Sequence, residues 1–172
     1  MTKGKIIYLN GVTSSGKTSI VSELRKKYRD FFYLSDDVFE DHIIDIEYDS
    51  SSYWKDLAEA VFLMYKTAKL FSDHGKTVII DSMLLEKPEF SPHYETMLNI
   101  FSNSPLVMIH VHCPLEICRQ RNMSRTDRFE MQSHEQADLM AKNVSYDLEL
   151  DSSIFSPQEC AERLLGFINA WR

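Results

Sequence analysis

Ten residues into this 172-residue chain, two glycines, a lysine and a threonine stand at a spacing that favours one kind of loop. The segment Gly11-Val12-Thr13-Ser14-Ser15-Gly16-Lys17-Thr18 follows the apolar run IIYL and precedes apolar residues at helical spacing. The pattern G-x-x-x-x-G-K-[ST] is typical of a loop whose backbone N–H groups bind phosphates. Lys17 would reach the terminal phosphates, and the Thr18 hydroxyl would bind Mg²⁺. We therefore expect residues 11–18 to bind ATP, although a chance match in a flexible turn is the alternative.

Composition and charge narrow the class of protein. The chain has a net charge of −7, 44% hydrophobic residues and three cysteines without a C-x-x-C spacing. The length suits one domain over residues 1–172, and the sparse cysteines suit a reducing cytoplasm. The sequence contains no run long and apolar enough for a membrane span and no basic face for nucleic acid, so we expect neither partner. It leaves open whether the protein is a monomer or a homo-oligomer.

Strand-like and helix-like segments alternate along the chain. Short apolar runs predict five strands, at residues 5–9, 31–35, 77–81, 106–112 and 146–150. Apolar residues at helical spacing predict helices at residues 17–28, 53–74 and 157–171. Ser156, Pro157 and Glu159 are a capping-box start for the last helix. This alternation predicts an α/β fold in which helices cover both faces of a parallel sheet.

Acidic residues follow two of the predicted strands. Asp36 and Asp37 come directly after the second strand, and Asp81 ends the third. Ligands of open α/β sheets bind at the carboxyl ends of the strands, so these carboxylates should face the phosphate loop. Asp81 is a candidate Mg²⁺ ligand with Thr18, or else a cap or turn former. Asp36 or Asp37 could accept a proton from an attacking hydroxyl; alternatively, both only complement the dipole of a helix that Ser35 caps.

Four arginines lie within ten residues of this acidic chain. They are Arg119, Arg121, Arg125 and Arg128, and the last two flank a short segment with the composition of a lid over the transferred phosphate. The alternative is a solvated helix face that pairs with nearby glutamates. Five aromatic residues are candidates to line a pocket for the phosphate acceptor, although residues at this spacing more often pack in a core. They are Tyr48, Tyr53, Trp54, Phe62 and Tyr65.

Five stretches together resemble one family. They are IYLNGVTSSGKT at residues 7–18, SDD at 35–37, VIIDS at 78–82, R-x-x-x-R-x-D-R at 121–128, and YDLELDSS followed by SPQECA within 146–161. The chain is similar to the chloramphenicol phosphotransferase family, within the wider set of small P-loop kinases such as shikimate kinase and adenylate kinase. The similarity runs almost end to end and is weakest between residues 41 and 73.

The resemblance implies a fold, an activity and several residue roles. The fold is a five-stranded parallel sheet of the nucleotide-kinase kind, and the activity is ATP-dependent phosphorylation of a hydroxyl. By matching positions, Asp36 is the base and Asp81 is the acidic residue at the end of the third strand. Arg121 faces adenine, and Arg125 and Arg128 belong to the lid.

The sequence therefore predicts a small-molecule kinase that uses ATP and Mg²⁺ and acts on an alcohol, with an antibiotic such as chloramphenicol as the favoured acceptor. The catalytic candidates are Asp36, Lys17, Arg125 and Arg128. The alternatives are a kinase of a metabolite, nucleoside or sugar, and a non-catalytic nucleotide-binding regulatory module. Between residues 41 and 73 the basic side chains are three lysines and no arginine, which favours an acceptor without negative charge.

Lys17→Ala should lower the rate of phosphoryl transfer at least about a hundredfold and leave the fold intact. A charge-assisted contact that strengthens in the transition state is worth roughly 3 kcal/mol, which is about a hundredfold in rate. Steady-state ATP turnover and a thermal melt of the variant measure the two effects. Near-normal turnover would contradict the assignment of residues 11–18 to phosphate binding.

Overall fold

A five-stranded parallel sheet forms the centre of the protein, with the strand order β2-β3-β1-β4-β5. The computed structural model describes residues 2–43 and 52–171. Its strands are β1 (Ile6–Asn10), β2 (Phe31–Ser35), β3 (Thr77–Ser82), β4 (Leu106–His112) and β5 (Leu148–Asp151). Its helices are α1 (Lys17–Lys27), α2 (Asp36–Ile43), α3 (Tyr53–Asp73), α4 (His93–Ile100), α5 (Leu115–Met123), α6 (Gln132–Leu139) and α7 (Pro157–Ala170). The predicted α/β class and parallel sheet are confirmed.

The sheet separates two hydrophobic cores. Along the central strand β1, Ile6 and Tyr8 point into the core that α3 and α4 cover, whereas Ile7 and Leu9 point into the core that α1 and α7 cover. All four side chains are almost completely buried. A strand that is buried on both faces needs a continuous apolar run rather than an alternating one, and IIYL is such a run.

The register of the strands brings their carboxyl ends to one edge of the sheet. Leu9 pairs with Asp81 between β1 and β3, and Ser35 pairs with Asp81 between β2 and β3. The chain segments that leave β1, β2 and β3 therefore start side by side, as the rule for ligand sites in open α/β sheets requires. These three segments carry the phosphate loop, Asp36 and Ser82.

Most element boundaries agree with the sequence pattern, and the differences have local causes. Strand β5 begins at Leu148, two residues later than predicted, because the carboxylate of Asp147, and not a backbone carbonyl of β5, accepts the hydrogen bond from the Met108 N–H of β4. Helix α3 ends before Gly75, whose φ of 76° lies in the left-handed region. Helices α4 and α6 were not predicted, because each has only eight residues, and α6 also has a weak apolar pattern. Within the described ranges, no helix combines the length and the apolar character that crossing a bilayer requires.

Helix α7 begins with the predicted capping box. The Ser156 side chain accepts a hydrogen bond from the Glu159 N–H, and the Glu159 carboxylate accepts one from the Ser156 N–H at 2.8 Å. Pro157 occupies the first turn, where its missing N–H costs no hydrogen bond. Cys160, Leu164 and other residues of the buried face then pack against α1 and the sheet.

Two glycines should respond in opposite ways to an added methyl group. Gly166→Ala should stabilise the protein by about 0.5–1 kcal/mol, because Gly166 lies in the interior of α7 and a Cβ there has open space. Gly4→Ala should destabilise it by roughly 1–3 kcal/mol, because a Cβ would lie 2.1 Å from the carbonyl oxygen of Lys76. Urea unfolding of both variants measures the changes. Equal effects of the two substitutions would contradict this packing.

Candidate active site

The loop from Gly11 to Thr18 connects β1 to α1, and its two glycines are required by its shape. A Cβ on Gly11 would lie 2.6 Å from the carbonyl oxygen of Val111, on the neighbouring strand. Gly16 has a φ of 102°, a left-handed conformation that strains any other residue, and it immediately precedes α1. The backbone can therefore turn tightly at the N-terminus of a helix, which is the arrangement that binds phosphate.

The ammonium group of Lys17 lies over the loop. Its Nζ donates to the carbonyl oxygens of Gly11 at 2.7 Å and Val12 at 3.2 Å, and lies 3.7 Å from Asp81 Oδ1. The side chain is 12% exposed. The structure thus holds a mostly buried cation between the loop backbone and a carboxylate.

Asp81 links the loop to the end of β3. Its Oδ2 accepts hydrogen bonds from Thr18 Oγ1 at 2.7 Å and from the Tyr33 hydroxyl at 3.0 Å. Burial, together with the negative charge of Asp81, raises the pKa of the Tyr33 phenol far above its usual value. Within residues 2–43 and 52–171, no three His, Cys, Asp or Glu side chains converge as a metal site. A hydroxyl and one carboxylate nevertheless fit Mg²⁺, which takes one or two carboxylates and completes its shell with phosphate oxygens and water.

Asp36 points its carboxylate toward the carboxyl end of β3. Its Oδ2 accepts from Ser82 Oγ at 2.7 Å and from the Met83 N–H at 3.2 Å. Its Oδ1 is buried and has no hydrogen-bond partner within the described part of the chain. Burial raises the pKa of Asp36 to about 7; nearby Asp81 adds to the rise, whereas the Ser82 hydrogen bond and the charge of Lys17 oppose it. A carboxylate with one anchored and one free oxygen is suited to accept a proton.

Asp37 has a different environment from its neighbour. Its side chain is 63% exposed, and its Oδ2 accepts from Arg128 Nη2 at 3.1 Å. The N-terminus of α2 is capped separately, because Ser35 Oγ accepts from the Val38 N–H at 3.4 Å. Asp37 therefore links the start of α2 to the arginine segment, and Asp36 faces the phosphate loop.

The four arginines divide into two groups. Arg119 forms ion pairs with Glu116 and Glu130 on the surface, so the alternative of a solvated basic face describes this residue. Arg121 donates from Nη1 to the Ser14 carbonyl oxygen at 3.1 Å and from Nη2 to the Ser152 carbonyl oxygen at 2.8 Å.

Arg125 and Arg128 lie farther along the same segment. Arg125 forms a bidentate pair with Asp127, and Arg128 is the residue that contacts Asp37. Arg121, Arg125 and Arg128 line the same cavity. Their spacing in the sequence did not predict this shared location.

One cavity of about 700 Å³ joins these groups. The predicted site residues that line it are Gly11, Thr13, Ser14, Gly16, Lys17, Thr18, Asp36, Asp81, Arg121, Arg125 and Arg128. Two of the predicted loop residues lie outside its lining. Val12 packs with Cys113 and Cys118, and Ser15 is buried beneath the loop.

The far end of the cavity is apolar. Its lining residues from α3, from the segment after β3 and from α6 are Tyr53, Trp54, Leu57, Val61, Met83, Leu85, Phe90 and Leu139. Of the predicted aromatic residues, Phe62 and Tyr65 pack in the core instead, and Tyr48 lies outside the described residues. Because an aromatic residue at helical spacing can face either side of its helix, the sequence alone did not separate these two groups.

Several polar residues that support the loop were missed by sequence reasoning. Gln136 Oε1 accepts from the Thr13 N–H at 2.6 Å, and Ser152 Oγ donates to the Ser15 carbonyl oxygen at 2.6 Å. Ser82 was part of the matched VIIDS stretch, but its spacing gave no reason to assign it a role. The contacts of Gln136 and Ser152 join residues more than 100 positions apart, and Ser82 contacts Asp36, which is 46 positions away. Only the fold brings these residues together.

The geometry agrees with the relationship of this chain to known proteins. The family described as "Chloramphenicol phosphotransferase-like protein" matches residues 4–169. The chain belongs to this family. It is also 27% identical over 123 residues to an adenylyl-sulfate kinase of Clostridium acetobutylicum; the match covers 70% of this chain and 58% of that relative.

Solved structures share the fold across nearly the whole chain. The Mycobacterium tuberculosis APS kinase, solved with AMPPNP and APS, has a TM-score of 0.71 at 19% identity and covers 98% of this chain and 99% of its own. The tunicamycin resistance protein of Deinococcus radiodurans has a TM-score of 0.67 at 14% identity, with 96% of each chain covered. The architecture of this family member is that of the small P-loop kinases.

Asp36→Asn should stabilise the protein at alkaline pH. The folded pKa of Asp36, about 7, lies above the ordinary carboxyl value of 3.8, so the folded wild type binds the extra proton between these values and loses stability as the pH rises through them. An asparagine oxygen can accept both existing hydrogen bonds and carries no charge. The variant should therefore gain about 4 kcal/mol over wild type at pH 8 and little at pH 4.

Urea unfolding at the two pH values measures this gain. Asp37→Asn is the matched control on the exposed side of the same helix and should change stability by less than about 1 kcal/mol. An Asp36→Asn protein that is less stable than wild type at pH 8 would show that the Asp36 charge is not destabilising in the fold.

Proposed function

We propose that this protein transfers the γ-phosphoryl group of ATP to a hydroxyl of a small, uncharged molecule. The observation that carries the proposal is the two-ended cavity. One end is bounded by the phosphate loop with Lys17, and the other by an apolar wall. Asp36, with its unpartnered Oδ1, lies between the two ends, where an acceptor hydroxyl would meet the terminal phosphate.

In this proposal the nucleotide occupies the loop end. The backbone N–H groups of residues 11–18 and the Lys17 ammonium bind the phosphates, and Arg121 contacts the nucleotide while it holds the loop against Ser152. Thr18 and Asp81 would hold Mg²⁺, which when bound offsets the charge of the phosphates. Arg125 and Arg128 supply positive charge from the opposite side, where negative charge spreads over the transferred group.

The transfer step conserves charge and atoms within these residues. The acceptor oxygen bonds to the γ-phosphorus as the bond between that phosphorus and the leaving ADP oxygen breaks. The hydroxyl proton passes to Asp36 Oδ1, because Oδ2 is already occupied by two donors. Phosphoryl transfer has a loose transition state, so positioning and charge contribute more than the strength of the base.

The charges around the acceptor end favour an acceptor without an anionic group. Asp36, Asp37 and Glu40 line this part of the cavity, and Arg128 already pairs with Asp37. The lysines between positions 41 and 73 are absent from the cavity lining, and residues 44–51 contain no Lys or Arg. Among the described residues, Arg128 is paired with Asp37 and the Lys87 ammonium lies over the Trp54 ring, so an anionic acceptor would meet carboxylates whose neighbouring cations already have partners.

An antibiotic such as chloramphenicol is the favoured special case, supported by the family membership and by the apolar wall. The tunicamycin resistance protein of similar fold is a further reason to test antibiotics. A neutral nucleoside, sugar or other metabolite is the second candidate, because the same cavity offers hydrogen-bonding groups at Glu40 and Tyr53. A regulatory module that binds nucleotide without an acceptor remains the alternative of a different class.

An acceptor panel tests the proposal. The protein is incubated with ATP and Mg²⁺ and with hydroxylated antibiotics, nucleosides and sugars, and with shikimate, gluconate and adenylyl sulfate as anionic acceptors. ADP release and the mass of the product are measured. We expect an uncharged acceptor to stimulate turnover and the anionic acceptors to have little effect.

Asp36→Asn should lower acceptor-stimulated turnover by roughly 10²–10⁴-fold while ATP still binds, because only the proton acceptor is removed. Asp37→Asn, the matched variant, should lose much less. Stimulation by the anionic acceptors alone would overturn the proposed acceptor class. Slow ADP release that no acceptor changes would favour the regulatory module.

A further inference from the structure

A row of hydrogen-bonded side chains leads from Asp36 into the core. Ser82 Oγ lies 2.7 Å from Asp36 Oδ2, and the Tyr8 hydroxyl lies 2.9 Å from Ser82 Oγ. The hydroxyls of Tyr8 and Tyr65 are 2.7 Å apart, and Tyr65 lies 2.9 Å from His93 Nε2. Ser82, Tyr8, Tyr65 and His93 are all at most 3% exposed. They come from β3, β1, α3 and α4, so the row crosses four elements.

The proton positions at the histidine end follow from one obligatory donor. The Leu85 N–H donates to His93 Nδ1 at 2.9 Å, so Nδ1 must carry a lone pair. Burial lowers the pKa of His93 to about 4, which keeps the ring neutral near pH 7. The single ring proton is therefore on Nε2 and is donated to the hydroxyl oxygen of Tyr65.

The proton positions at the aspartate end follow independently. An ionised Asp36 can only accept, so Ser82 donates its one proton to Oδ2. Ser82 then accepts from Tyr8, and Tyr8, whose proton is used, accepts from Tyr65. Both ends require the same direction of donation, and each hydroxyl in the row uses its proton once.

We propose that Ser82, Tyr8, Tyr65 and His93 form a directional relay that positions Asp36 as the proton acceptor. The relay rests on the proposed function in one respect: the proton that Asp36 accepts is taken to be that of the acceptor hydroxyl. It directs the Ser82 O–H at Oδ2 and so leaves the buried Oδ1 as the carboxylate oxygen without a donor. These four are positioning residues, because they act through Asp36.

Burial alone does not explain this choice of side chains. Phenylalanine would fill the sites of Tyr8 and Tyr65 without the cost of burying a hydroxyl. The relay also reaches the acceptor end of the cavity, because the ring of His93 lies 4.8 Å from that of Phe90, which lines the apolar wall. Donors in a row polarise one another, so an effect on Asp36 should weaken with distance along the row.

Substitutions along the row test this order. Ser82→Ala should lower kcat about tenfold, Tyr8→Phe by a smaller factor and Tyr65→Phe by the least, because one net hydrogen bond is worth about that factor and the effect fades with distance. The KM for ATP should change little in each variant. Ser82→Thr restores the hydroxyl and should restore kcat. Tyr94→Phe is the matched control, because its hydroxyl accepts from the Ser145 N–H outside the row.

A second measurement needs no acceptor. The pKa of Asp36 is followed by NMR of its labelled carboxyl carbon in the free protein, with thermal melts to confirm that each variant is folded. Ser82 donates to the ionised form, so its loss should raise the pKa of Asp36, and Tyr8→Phe and Tyr65→Phe should raise it progressively less. Asp81 and Lys17, whose charges act on the pKa of Asp36, are unchanged in every variant.

The outcomes separate the relay from the proposed function. An unchanged pKa of Asp36 in folded Ser82→Ala and Tyr8→Phe proteins overturns the relay, whatever their turnover. Shifted pKa values with an unchanged kcat overturn its positioning role. A graded shift in a protein that phosphorylates no acceptor supports the relay and counts against the proposed function alone.

Discussion

The parallel register of three neighbouring strands is the constraint on which the rest of the site depends. Because β1 and β2 both pair in parallel with β3, the segments that follow all three leave the sheet at the same edge. The phosphate loop and Asp36 follow β1 and β2, and Asp81 lies at the carboxyl end of β3. A one-residue shift of β3 would turn Asp81 to the other face of the sheet and exchange it for an isoleucine or a serine.

At this edge of the sheet, the negative charges of Asp36 and Asp81 are offset by Lys17 and by hydrogen-bond donors such as Ser82 and Thr18. Lys17 faces Asp81 directly and lowers the cost of ionising Asp36, but burial still raises the pKa of Asp36 to about 7. A fold selected only for stability would not place a carboxylate there. The cost is consistent with a group that must exchange a proton near neutral pH.

The acceptor side of the cavity is built from different parts of the chain. The loop side is made by backbone geometry, since it depends on the close approach at Gly11 and the left-handed Gly16. The acceptor wall is made of side chains from α3 and from the segment after β3, which can change without disturbing the sheet. The fold is shared with an APS kinase, so it is the carboxylates of Asp36 and Glu40 in the cavity lining that bear on the charge of the acceptor.

The sequence by itself determined the local structure of this protein. The buried runs of β1 and β3, the glycines of the loop and the Ser156 capping box are decided by neighbouring residues, so their patterns predicted them. Tertiary structure alone decided which residues meet. It separated half-buried Asp36 from exposed Asp37, and it turned Arg121 toward the loop and Arg119 toward solvent. It also joined Ser82 to Tyr8, Tyr65 and His93. The physical reason is that burial, charge pairing and proton direction depend on side chains from distant segments, whose contacts exist only once the strands have paired.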